Sequence, residues 1–156
     1  MRATKKIEFS IADDVALKPA PINAEWILEG APAARNALLS QSENGAACTL
    51  IWDCTAGVFN GSYSIDETVY ILEGSVIVED EAPVTRRLEA GSNAFFTAGS
   101  RAKWRVESYV RKVAFCLQPM PRGYILAKNL TKAALRTVGL RKMEGESGLA
   151  MFGAER

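Results

Sequence analysis

From Cys48 to Leu117 the chain is a succession of short apolar runs, each closed within a few residues by a glycine or an acidic turn. Cys48 to Cys54 (CTLIWDC) reads as one strand and Thr68 to Leu72 (TVYIL) as another, stopped by Gly74. Ser75 to Val78 continues after that glycine, and Glu79 to Glu81 with Pro83 supplies the next reversal. Arg86 to Leu88, Asn93 to Thr97, Ala102 to Val106 and Arg111 to Leu117 follow, separated by Gly91, Gly99 and Ser108. Strands this short with turns this frequent cannot build an open parallel sheet with crossover helices; they predict an all-β sandwich or barrel. The first third is less regular, with Pro19, Pro21, Gly30 and Pro32 breaking it up. There, Ile22 to Leu28 is expected to form a short strand around Trp26, and Ala31 to Leu39 a brief helix or turn.

The rhythm changes after Pro119 and Pro121. Asn129 is a helix N-cap candidate, Leu130, Ala134 and Val138 recur at helical spacing, and Gly139 can end the helix. Residues 122–156 hold seven basic and three acidic residues, while the rest of the 156-residue chain is slightly acidic. The expected organisation is a β domain over 1–121, with an irregular N-terminal arm, and a basic extension with one helix over 122–156. Lys128, Lys132, Arg136, Arg141 and Lys142 form a basic stripe on that helix. A solvated helix face is the expected role, rather than contact with nucleic acid or an anionic membrane.

Composition removes several chemistries. There is no histidine, which excludes a histidine-based triad and the imidazole ligands most catalytic zinc, iron and manganese sites use. Cys48, Cys54 and Cys116 are too widely spaced for a zinc knuckle or a CxxC redox pair. Three cysteines without a secretory signal pattern predict reduced, buried thiols and a cytoplasmic protein. No stretch approaches the ~18–20 consecutive apolar residues of a membrane span. A net charge of +1 also excludes a strongly polyanionic or polycationic surface overall.

The most informative segment is Trp52 to Lys112. It contains W-D-C (52–54), Y-S-I-D-E (63–67), Y-I-L-E-G (70–74), E-A-G-S-N-A-F-F-T-A-G (89–99), Trp104 and V-R-K (110–112). This pattern resembles the cupin superfamily, in particular the subgroup around the cupin domain of (S)-ureidoglycine aminohydrolase. The resemblance implies a double-stranded β-helix, the cupin jelly-roll barrel. Glu67 and Gly74 match the end of the first cupin motif, and Gly91 and Gly99 the glycines of the second, with Thr97 where proline usually stands. The metal-binding histidines of the family fall on Gly61, Tyr63 and Ala102. Of the four usual ligands only Glu67 remains, so no metal or other cofactor is expected.

Glu67 shares the strand face of Val69 and Ile71 by period-two alternation. If that face lines the barrel, the carboxylate must be paired, hydrogen-bonded or neutral. Two readings stay open: a general acid/base or ligand contact, or a former metal ligand held by structure alone. Alternation also sends one of Arg111 and Lys112 inward. Lys112 shares its face with the small Ala114 and Cys116, so it is the one expected inside, opposite Glu67. Tyr63, Trp104, Trp52 and Cys54 are expected on inward faces too. The candidate ligand-binding set is therefore Trp52, Cys54, Tyr63, Glu67, Trp104 and Lys112, with Glu67 and Tyr63 as candidate catalytic residues and no metal ligands. The competing expectation is that these side chains simply fill a small barrel. A catalytic cysteine is not expected, since no histidine exists to activate a thiol.

Three functions follow for test. The first is a metal-independent cupin that binds a small polar or anionic metabolite in its barrel. The second is an enzyme of the ureidoglycine aminohydrolase type acting on a C–N bond, which the resemblance implies; tightly held stoichiometric metal would favour it. The third is a dimeric interaction or regulatory module, with Tyr70 and Leu72 on the face opposite Glu67 forming an apolar homodimer interface. The first is the expected one, in a homodimer that binds neither membrane nor nucleic acid.

Overall fold

The computed structural model describes residues 7–119 together with Pro121, Gly123 and Leu130. The chain divides after Pro119, and the unit before that point is described below. The helix expected over 129–139 lies outside the described residues. No helix among the described residues is long and apolar enough to cross a membrane.

Eight strands form one antiparallel sheet: β1 (Lys18–Pro19), β2 (Ile27–Gly30), β3 (Ala34–Gln41), β4 (Ala47–Ser62), β5 (Asp66–Asp80), β6 (Thr85–Glu89), β7 (Asn93–Phe96) and β8 (Arg101–Leu117). The order across the sheet is β1-β3-β4-β8-β5-β6, with β2 also pairing with β4 and β7 with β5. The turn rhythm predicts an all-β sandwich or barrel, and the structure is a jelly-roll β-barrel. Strand β8 is its spine, hydrogen-bonded to β4 on one side and β5 on the other. The inward positions of these three strands make the core, with Val69, Ile71, Val110 and Ala114 fully buried. Period-two burial along β8 (Ala102, Trp104, Val106, then Val110, Lys112, Ala114, Cys116) shows why this strand needs small and apolar residues on one side.

Several expected breaks are not breaks. Gly74 does not end a strand; β5 runs through it as a bulge, with φ +72° and a register shift against β8. A side chain there would strike the Tyr109 carbonyl oxygen at 2.0 Å, so glycine is needed for close approach as well as for the positive φ. Ser108 likewise lies within β8, opposite a register shift between Thr55 and Gly57 of β4. β4 itself continues past Cys54 to Ser62. Two further expectations are corrected in the first third. Ala31 to Leu39 is not helical: from Ala34 it is strand β3, held by the long ladder to β4 that local propensity cannot foresee. Ile22 to Leu28 is not one strand either. Asn23 caps a single 3₁₀ turn, Ala24–Trp26, by accepting from the Glu25 amide, and extended structure begins at Ile27.

Candidate functional site

Lys112 sits at the centre of β8 and Glu67 near the start of β5, and both side chains turn to the inside of the barrel. Lys112 Nζ donates to Glu67 Oε1 at 2.7 Å, with the two side chains 9% and 17% exposed. The neighbouring Arg111 turns the other way, donating to Asp13 Oδ1 and to the Ala12 carbonyl of the N-terminal arm. One of two adjacent cations therefore enters the barrel, as strand alternation requires.

Aromatic rings surround the ammonium. Lys112 Nζ lies 5.1 Å from the Trp52 ring and 4.8 Å from the Trp104 ring, within cation–π range of both. The two indoles meet edge to face at 6.0 Å, and Phe59 stacks on Trp104 at 6.3 Å. Behind them Tyr63 lies flat on Phe96 at 4.3 Å. The Trp104 indole N–H donates to the Tyr63 hydroxyl at 2.9 Å, so the two residues lock each other. Gly61 makes room for this: a Cβ there would lie 3.4 Å from the Tyr63 hydroxyl.

A cavity of about 460 Å³ opens beside the pair, walled by Trp52, Phe59, Tyr63 and Trp104 and floored by Glu67 and Lys112. Trp26, at the end of the 3₁₀ turn, stands at its rim, 40% exposed. The combination of apolar walls and a few convergent polar groups is what small-molecule sites usually offer. A larger hollow of about 590 Å³ lies by Glu79, Asp80 and Arg101. It does not reach Glu67 or Lys112.

Of the six candidate residues, Trp52, Tyr63, Glu67, Trp104 and Lys112 line one cavity. Cys54 does not. It points inward but is completely buried in the core and absent from the cavity wall. Burial, with the Asp53 carboxylate beside it, pushes the Cys54 thiol up to about 11. Cys116, which does reach the cavity, is pushed up to about 12 by burial and then by the Glu67 charge. Both thiols are therefore protonated and poor nucleophiles near neutral pH. Burial and, secondarily, Glu67 also raise the Tyr63 phenol, so it remains a hydrogen-bond donor.

Phe59, Phe96 and Cys116 were not foreseen as part of this site. Phe59 carries a usable signal, since it precedes Gly61 and Tyr63 by two and four residues and so shares their face. The bulge between Thr55 and Gly57 hides its relation to Trp52: inward positions are even-numbered before the bulge and odd-numbered after it.

The cupin resemblance raises the question of a metal. Among the described residues, no group of three or more histidine, cysteine, aspartate or glutamate side chains could hold an ion. Glu67 already has a cation beside it in Lys112, and Gly61 and Ala102, which pair across β4 and β8, carry no donor side chain. The residues present do not fit a metal centre.

A jelly-roll barrel with its polar site inside the β4-β8-β5 wall has the architecture of a cupin. Residues 41–114, just under half of the chain, match the family model of the EutQ-like cupin domain. Solved structures agree on the fold. A DUF861-family protein of unknown function from Pseudomonas syringae pv. tomato superposes with a TM-score of 0.61 at 23% identity, covering 66% of this chain and 45% of that one. This chain thus spans less than half the length of that relative. A putative acetylacetone dioxygenase from Methylibium petroleiphilum gives 0.58 at 22% identity, covering 75% and 81% of the two chains. A predicted oxalate decarboxylase from Thermotoga maritima gives 0.57 at 12% identity, covering 73% and 100%. No curated protein matches the sequence.

Proposed function

We propose that this protein is a small-molecule-binding cupin that works without a metal, holding a polar metabolite in the barrel against Lys112 and Glu67. One observation carries the reading. Lys112 is buried and Glu67 partly buried, neither has its hydrogen-bonding capacity filled by the described residues, and both face a cavity with aromatic walls. A pair retained only for packing would be expected to be saturated by protein groups. In this reading Trp52, Phe59 and Trp104 shape the ligand, Lys112 and Glu67 orient it, and Tyr63 donates a further hydrogen bond. Glu67 is also the group positioned to move a proton, should the ligand be transformed. The test is a metabolite panel followed by thermal shift on wild type and on Lys112→Met. Hits that stabilise wild type and not the variant support the site; hits equally effective on both place binding elsewhere.

A second reading is an enzyme acting on a C–N bond, supported by the motif likeness to the ureidoglycine aminohydrolase cupins. Stoichiometric metal surviving dialysis of the purified protein would move the balance to it. Both readings take the protein as a cytoplasmic homodimer using the exposed Tyr70 and Leu72, which light scattering on the Leu72→Lys variant tests.

A further inference from the structure

Glu67 and Lys112 are the only charged side chains lining the barrel cavity among the described residues, and they are bonded to each other. The floor of the cavity therefore carries one positive and one negative group and no net charge. We infer that the barrel takes a neutral ligand presenting a carbonyl-type acceptor beside an N–H donor, an amide or a lactam, which Lys112 and Glu67 read as a pair. This rests on the proposal above that the barrel is a binding site, and narrows it from polar or anionic metabolites in general.

An ammonium has three donors. Lys112 commits one to Glu67 Oε1, and its other two make no hydrogen bond to the described residues. The second carboxylate oxygen, Glu67 Oε2, accepts no hydrogen bond from the described residues. The pair thus displays free donors next to a free acceptor.

Each ligand class meets this display differently. A carboxylate would find the lysine charge already compensated and Glu67 close enough to repel it, so its desolvation would be poorly repaid. A cation could reach Glu67, but Lys112 already occupies the space between the indoles where it would be held. A hydrocarbon would leave both polar groups without solvent or partner. An amide satisfies both: its carbonyl accepts from Lys112 and its N–H donates to Glu67 Oε2. Tyr63 can add a second donor to the same carbonyl, since its oxygen accepts from Trp104 and its own proton remains uncommitted. The flat, unsaturated amide group also suits walls made of Trp52, Phe59 and Trp104.

All three tryptophans of the chain, Trp26, Trp52 and Trp104, line this cavity, so intrinsic emission reports on it directly. Titrating the full chain with butyramide, butyrate and n-butylammonium compares a neutral, an anionic and a cationic head on one hydrocarbon tail. Butyramide is expected to shift the emission saturably and to bind at least about tenfold more tightly than either ion. Glu67→Gln, which leaves the lysine charge uncompensated, should move the preference to butyrate, and Lys112→Met should move it to butylammonium. Wild type alone decides the class, so the test survives a variant that folds poorly. Saturable binding of butyrate or butylammonium ahead of butyramide overturns the inference while leaving the barrel a binding site. A Glu67→Gln variant with the wild-type order overturns it also. No saturable change with any of the three overturns both the inference and the barrel reading.

Discussion

Two carboxylates lie on the two strands that flank β8 in the same sheet, each facing a cation, and their surroundings differ. Asp53, on β4 and turned away from the barrel cavity, accepts from Arg35 Nε, from a second guanidinium nitrogen of Arg35 and from the Tyr109 hydroxyl. It is 1% exposed, and both of its oxygens are occupied. Glu67, on the cavity side, makes one hydrogen bond to Lys112 and keeps an oxygen free. Neither Asp53 oxygen is left without a partner, whereas Glu67 carries unfilled capacity where a ligand can use it. The hydrogen-bond inventory separates the two more sharply than burial does.

The comparison can be broken most directly at Lys112. Lys112→Met should cost about 3 kcal/mol of unfolding free energy by leaving Glu67 unpaired among aromatic rings, and the double variant with Glu67→Gln should regain most of it. Urea denaturation of the four members of this cycle measures both. If the single variant is as stable as wild type, Glu67 is well hydrated and the two sites are not distinct in the way described. Asp53→Ala should cost less, about 2 kcal/mol, as Tyr109 loses its acceptor while the half-exposed Arg35 turns to water. It should leave ligand affinity unchanged, whereas Lys112→Met abolishes it. Loss of affinity in a folded Asp53→Ala protein would mean the outer cluster positions the site after all.

Smaller effects sharpen the picture inside the barrel. Tyr63→Phe removes the acceptor of the Trp104 indole N–H, at a cost of about 1 kcal/mol, and should shift the Trp104 emission in the absence of ligand. A further test is pH dependence. Cys54 and Cys116 keep their protons up to about 11 and about 12 in the fold, whereas unfolded thiols lose theirs near 8.5. Above that lower value the unfolded chain binds fewer protons than the native one, so stability should fall as pH rises. Denaturation between pH 8 and pH 10 should show the decline, and Cys54→Ala with Cys116→Ala should flatten it. At pH 8 both thiols should resist a thiol reagent until the chain unfolds.

Legibility in the sequence followed the range of the interactions involved. The barrel was readable because its turns are local: Gly91 and Gly99 both take positive φ, and each lies where the spacing of apolar runs marks a change of path. Strand faces were readable over short stretches, which is why Glu67 and Lys112 could be placed inside and opposite each other. The alternation failed across the bulges in β4 and β5, since one extra residue reverses every inward assignment beyond it. Phe59 was missed for that reason, and Cys54 was assigned to a cavity that it does not reach. β3 was misread as helical because its stability comes from pairing with β4, residues distant in sequence.

The sequence by itself determined an all-β chain with the spacing of a cupin, no histidine anywhere in it, and one carboxylate, Glu67, on an apolar strand face. These are properties of residue type and short spacing. Only the tertiary structure decided what faces that carboxylate. It brings Lys112 to Glu67 across β8 and β5, closes Trp52 and Trp104 around the ammonium, and leaves Asp53 saturated on the other side. The physical reason is that hydrogen-bond satisfaction depends on which groups meet across strands, and strand register is fixed by the packing of the whole barrel.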